Sequence, residues 1–277
     1  MKQYTLGYCM WLLQGGSLPD RIQFVYDQGF RSVAKLQSTD SASSAEARDA
    51  AQLIRELGMT MTCHTNVQAN LKNRRLDPDF ARRSMEDDLW WHQATGGALH
   101  SCCADVISAK NPLKILWDDT VTLAEMQRKI FRGTDVLTGI ENATYPEYCL
   151  PEHFAEMAKH SSAILLDAGH AHISLHTMPQ LAGMDFEAYL DAIALPVAEV
   201  HITDNHGVQD EHLAPGDGTA DFAALLRGLE KRQETPIISL EYCYDILREK
   251  YAHDLTVPAE RDRVLRAMDA MRRIFCP

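Results

Sequence analysis

With 277 residues, 45% of them hydrophobic and 24% charged, the chain is long enough for one large α/β domain and shows no low-complexity linker to divide it. Its net charge of −12 works against broad binding to a phosphate backbone, so nucleic acid is an unfavoured partner. Seven cysteines, odd in number and without a Cys-x-x-Cys pair, argue against a disulfide framework or a cysteine zinc knuckle and fit a reducing cytoplasm, and no apolar run reaches the length of a membrane span.

In chain order, the first apolar run lies near residues 4–10; it is short and is followed by no Ala-x-Ala site, so it reads as a strand rather than a secretory leader. Further runs rich in β-branched and apolar residues fall near 30–36, 59–64, 97–102, 136–141, 163–168, 197–203 and 236–242. Helical segments separate them: 43–57 stops at Gly58, 79–95 at Gly96, and 120–131 at Gly133, each with glycine just past the end. Pro19, Pro112, Pro151 and Pro258 stand near helix starts, where a missing amide proton costs little. Eight strands alternating with helices predict a single-domain (β/α)8 TIM barrel over residues 1–277, and no Gly-x-Gly-x-x-Gly follows the first strand to recommend an open dinucleotide-binding sheet.

In such a barrel, function gathers at the C-terminal ends of the strands. Six of the runs end in imidazole or carboxylate: His64, His100, Glu141, Asp167, His201 and Glu241. Ligands of these types converging on one mouth predict a divalent metal site. Glu141 and Glu241 can share a cation while one also moves protons. His170 follows Asp167 on a glycine-containing turn, and Asp210-x-His212 sits on the loop after His201. Asp204 and His206 read as residues that hold this loop, while Pro215, Gly216 and Gly218 shape the turn into the next helix. Candidates for substrate contact are Trp11, as a wall on which a sugar ring could stack, Lys35 at the end of the second run, and Asn142 beside Glu141. Lys72, Arg74 and Arg75 read as solvated charge.

Together, Gly139-Ile140-Glu141-Asn142, Leu166-Asp167-Ala168-Gly169-His170 and His201-Ile202-Thr203-Asp204-Asn205, followed by Asp210-x-His212-Leu213-x-Pro215-Gly216-x-Gly218, resemble the xylose isomerase-like TIM-barrel superfamily across nearly the whole chain. That superfamily holds sugar isomerases, ketose epimerases, inosose dehydratases and endonuclease IV. Similarity to the ketose epimerases implies that Glu141, Asp167, His201 and Glu241 ligate one divalent ion, that His170 orients substrate oxygens, and that Glu141 and Glu241 move a proton through an enediolate. Similarity to endonuclease IV implies instead a zinc cluster drawing in His64, His100, His170, Asp210 and His212 for phosphodiester hydrolysis. Against this, His100 precedes Ser-Cys rather than Pro-Gly, and the interval from His201 to Asp210 is shorter than in that family. The expectation is a metal-dependent sugar, sugar phosphate or polyol isomerase or epimerase, with manganese or zinc and then magnesium as the ion and a small carbohydrate as the partner. The alternatives are the zinc phosphodiesterase and a lyase or dehydratase on the same scaffold. The resemblance also carries an expectation of homo-oligomers.

Overall fold

Strands buried on both faces need apolar residues throughout, and eight runs of this chain supply them. A computed structural model describes residues 2–36, 41–66, 69–70, 75–103, 105–106, 113–114, 116–244 and 250–276. The eight runs form strands β1 (Thr5–Cys9), β2 (Ser32–Leu36), β3 (Thr60–Asn66), β4 (Leu99–Cys103), β5 (Leu137–Glu141), β6 (Ala163–Asp167), β7 (Val197–Ile202) and β8 (Ile237–Leu240). All pair in parallel with their sequence neighbours, and β8 pairs with β1 to close the barrel. The molecule is therefore the expected single-domain TIM barrel.

Around it lie α1 (Leu18–Asp27), α2 (Ala45–Glu56), α3 (Pro78–Thr95), α4 (Trp117–Ile130), the short α5 (Pro146–Cys149) and α6 (Pro151–Met157), α7 (Ala168–Thr177), α8 (Phe186–Ala192), α9 (Phe222–Lys231) and α10 (Pro258–Phe275). Side-chain caps start several of them. Ser44 accepts from the Ala47 amide and Asp77 from that of Phe80, while Ser17 and Asp20 form a reciprocal box around α1. Gly96 ends α3 in the left-handed conformation at φ 73°, as its sequence position suggested. Pro19, Pro151 and Pro258 lie in the first turns of α1, α6 and α10, whereas Pro112 lies outside the described residues.

Alternation along each strand splits the chain into two interiors. Val33, Ile140, Ile164, Leu166, Val200, Ile202 and Leu240 are buried in the apolar core. On the barrel axis the residues are smaller and more polar. Glu199 of β7 accepts from Thr62 of β3 at 3.1 Å and from Ser239 of β8 at 2.5 Å, so its carboxylate ties three strands together across the lumen. Gly7 gives this layer its room: a Cβ there would sit 2.6 Å from Ser239 Oγ and 3.1 Å from Ser32 Cβ.

Candidate metal centre at the barrel mouth

The lumen layer above Glu199 is where chemistry concentrates. Glu141 ends β5, Asp167 ends β6, His201 stands one residue before the end of β7, and Glu241 follows β8. One donor atom from each lies within 4.8 Å of the others, and all four residues are buried. His201 Nδ1 is 2.9 Å from Glu241 Oε2 and 3.9 Å from Glu141 Oε1. Asp167 spends Oδ1 on capping α7, accepting from the His170 amide at 2.7 Å, and its buried Oδ2 has no hydrogen-bond partner among the described residues. Neither nitrogen of His201 has a partner of hydrogen-bonding geometry there.

Three buried carboxylates repel one another unless a cation, a protonated imidazole or a bound ion, lies among them. The titration of the group divides accordingly. Burial, reinforced by Glu241, Asp210 and Glu141, raises Asp167 to about 7 in spite of His170. Burial also works against ionised Glu141, but His64, His170 and His201 outweigh it and hold the carboxyl at about 2. Glu241 is likewise lowered against burial by His201 and His212, and His201 is raised against burial by Cys9 and Glu241. The orphaned Asp167 Oδ2, the unbonded nitrogens of His201 and the spacing of the four donors all fit a divalent ion; oxygen-rich ligands of this kind suit manganese, magnesium or zinc.

Around this quartet the other expected residues divide. His64 comes to the mouth, its Nε2 3.4 Å from Glu141 Oε2 and its Nδ1 2.9 Å from Ser101 Oγ. Trp11 follows β1, stacks on His64 with ring centroids 6.2 Å apart, and lies 5.9 Å from the His201 ring. A second cluster forms beside Asp167: Asp210 Oδ2 is 3.3 Å from His170 Nε2 and 2.9 Å from His212 Nε2, while His170 Nδ1 meets the Asn142 carbonyl at 2.9 Å. These three residues do not bring their donor atoms as close together as the quartet does. Among the described residues, only the quartet and a trio of Cys9, His201 and Glu241 converge within 4.8 Å.

Three expectations need correction. His100 does not reach the mouth: β4 starts at Leu99, so His100 is its second residue and its side chain points outward to Asp88, Thr65, Gln127 and the face of Phe131. Lys35 also faces outward, away from the mouth, pairing with Asp88 at 2.7 Å and Asp87 at 3.3 Å on α3. Asn142 is fully buried and spends both ends of its amide on the Asp167 backbone, accepting from its N–H at 2.6 Å and donating to its carbonyl at 3.0 Å. Its amide thereby positions the backbone of a candidate ligand. Of the loop cations, Arg75 forks onto Asp119 at 2.7 Å through each of two nitrogens, and Lys72 and Arg74 lie outside the described residues.

Asp204 holds the loop after β7, as its position suggested. Its fully buried carboxylate accepts from four backbone amides, those of Asn205, Gly216, Gly218 and Ala220, at 2.8–3.1 Å. His206 is tied to Glu211 through both its amide and its Nδ1, at 2.8 Å each. Gly169 lets α7 start hard against this loop, since a Cβ there would overlap Thr203 Oγ1 at 1.9 Å. Sequence reasoning passed over two residues of the site. Cys9 ends β1 and was hidden in a count of cysteines; Glu199, 3.9 Å from His201 Nε2, was hidden inside an apolar run, although its spacing of two from His201 puts both on one face.

The model of a family described as xylose isomerase-like TIM barrel matches residues 22–274. The chain belongs to the xylose isomerase-like TIM-barrel family. Among solved structures with this fold, an L-ribulose 3-epimerase is 14% identical with a TM-score of 0.68, covering 98% of this chain and 93% of that one. A D-psicose 3-epimerase studied with D-fructose is 12% identical with a TM-score of 0.68, covering 99% and 100%. The IolI protein, solved with a bound zinc atom, is 14% identical with a TM-score of 0.64, covering 98% and 96%. At these identities the likeness shows the fold alone. An uncharacterised protein of Methanocaldococcus jannaschii is 29% identical over 135 residues, so the match spans under half of either chain: 46% of this one and 44% of that relative. No described helix is long and apolar enough to cross a membrane.

Proposed function

We propose that the chain is a divalent-metal-dependent isomerase or epimerase acting on a sugar, sugar phosphate or polyol. The observation that carries this reading is the convergence of Glu141, Asp167, His201 and Glu241 within 4.8 Å at the mouth of the barrel. Those four residues would hold the ion, which would supply polarisation of a substrate carbonyl and its neighbouring hydroxyl and a counter-charge when a proton leaves the hydroxyl-bearing carbon. Glu141, at the end of β5, and Glu241, just past β8, remove and return that proton. Glu141 turns one oxygen toward His201 and the other toward His64. His170 is steadied by Asp210 and the Asn142 carbonyl, ready to orient substrate oxygens, and Trp11 offers a flat apolar surface to a sugar ring. Sugar epimerases among the proteins of like fold, and zinc in one of them, support the same reading.

The zinc phosphodiesterase reading has less support. His100 is turned away from the mouth, and His170, Asp210 and His212 do not bring their donor atoms together as the quartet does. The deciding experiment is incubation of manganese- or zinc-loaded protein with a panel of ketoses and ketose phosphates in heavy water, with Glu141→Gln and Glu241→Gln in parallel. Expected are a new epimer or isomer carrying solvent deuterium at the reacting carbon, and loss of both bound metal and turnover in the two variants. Unchanged turnover in both variants would sink the mechanism, and net loss of water from the substrate would assign the scaffold to a lyase.

A further inference from the structure

The mouth holds a thiol that the proton-transfer scheme leaves idle. Gly7 faces the lumen, so Cys9, two residues on along β1, faces it as well, one layer higher and fully buried. Its Sγ lies within 4.8 Å of a donor atom of His201 and one of Glu241. The His201 side chain, 1% exposed, pairs with Glu241 across 2.9 Å, and neither of its ring nitrogens has a partner of hydrogen-bonding geometry among the described residues, so the thiol stands beside an imidazole whose nitrogens are not fixed by well-aligned bonds. Trp11, two residues further on, packs its ring against those of His64 and His201.

We infer that Cys9, His201 and Glu241 form a second, sulfur-containing cation position that overlaps the position made by the carboxylates. The inference rests on the metal-centre reading above and extends it to the choice of ion. Cys9 does not converge with Glu141 and Asp167 as His201 and Glu241 do, so an ion on the thiol sits displaced toward β1. Because both positions draw on His201 and Glu241, one ion excludes the other. Thiolate is a soft ligand that favours the thiophilic ions, cadmium above all, whereas the carboxylates suit manganese and magnesium, with borderline zinc able to use either set. Binding at the thiol releases its proton to solvent as the metal–sulfur bond forms. The chain thus takes hard ions as working metals and thiophilic ions at the displaced position, where they compete with the working metal.

The test uses the full-length apo-protein titrated separately with Mn²⁺, Co²⁺ and Cd²⁺, alongside Cys9→Ser. Expected for the unaltered chain are a near-ultraviolet thiolate-to-metal charge-transfer band with Co²⁺ and Cd²⁺, and release of bound Mn²⁺, read from the paramagnetic resonance of the free ion, as Cd²⁺ is added. Cys9→Ser should lose the band, keep its Mn²⁺ affinity, and bind Cd²⁺ at least about tenfold more weakly, since even an outer partner of a ligand is worth that much. If Cys9→Ser fails to fold, Cys9→Ala gives the same readouts, and displacement of Mn²⁺ by Cd²⁺ needs no variant. Cd²⁺ binding without a charge-transfer band, or a band that persists without Cys9, overturns the thiol position while leaving the carboxylate site standing. Failure of the unaltered chain to bind any of the three ions overturns both.

Discussion

Replacing Asp204 with asparagine tests whether one buried carboxylate holds the loop that carries Asp210 and His212. Oδ1 of Asp204 accepts from the amides of Asn205 and Ala220, and Oδ2 from those of Gly216 and Gly218. An asparagine offers one oxygen in place of two, so whichever way its amide turns, two N–H groups lose their acceptor and face another donor; of the four amides only that of Asn205 is buried. A fully buried unsatisfied donor costs about 1–3 kcal/mol and one that water reaches costs less, so the pair is worth about 1–3 kcal/mol, still a sizeable share of the stability of an ordinary domain. The loop cannot compensate by closing in: a Cβ at Gly218 would already lie 2.5 Å from the Asn205 carbonyl oxygen and 2.3 Å from Asp204 Oδ1, so the turn has no slack. Urea unfolding would measure the loss, and amide hydrogen exchange read by mass spectrometry would locate it over residues 206–218. The expected pattern is faster exchange in that segment with the barrel strands still protected, and Gly218→Ala should produce the same local signature by a steric route. An Asp204→Asn protein within about 0.5 kcal/mol of the unaltered chain, with loop exchange unchanged, would refute the reasoning.

Two further predictions concern the layer behind the barrel wall. Lys35→Met leaves Asp88, fully buried, without its cation and should cost about 3–5 kcal/mol in denaturant unfolding while substrate KM stays constant in the folded fraction; a raised KM at unchanged stability would restore Lys35 to substrate binding. His92 is pushed down from its ordinary 6.5 to about 3 by burial and by neighbouring His100, so the unfolded chain takes up the proton first. Its contribution is therefore complete above about pH 6.5 and drains away as the pH falls toward 3, amounting to about 2 kcal/mol of destabilisation at pH 5. Unfolding free energies at pH 7 and pH 5 should fall less in His92→Leu than in the unaltered chain, and parallel falls would refute the assignment.

All eight strands could be placed from the chain alone, because a parallel strand buried on both faces must be apolar throughout and these runs stand out between helices stopped by glycine. The quartet was legible for a related reason: Glu141, Asp167, His201 and Glu241 are the polar interruptions at the C-terminal ends of such runs, and barrel geometry sends those ends to a common mouth. The face on which a side chain emerges could not be read. Side chains alternate with period two, so an error of one residue in register moves a side chain from lumen to helix layer, and an error of two moves it to another depth in the lumen. The apolar run predicts His100 at a strand end, whereas it is the second residue of β4, and Lys35, an odd three residues on from lumen-facing Ser32, faces α3. Glu199 and Cys9 show the converse, since an apolar run conceals a carboxylate or a thiol until pairing between strands distant in sequence sets its depth in the lumen. Local pattern determined which elements form and which residues end them; the stagger of strands around the closed barrel, a property of contacts remote along the chain, decided which of those residues meet.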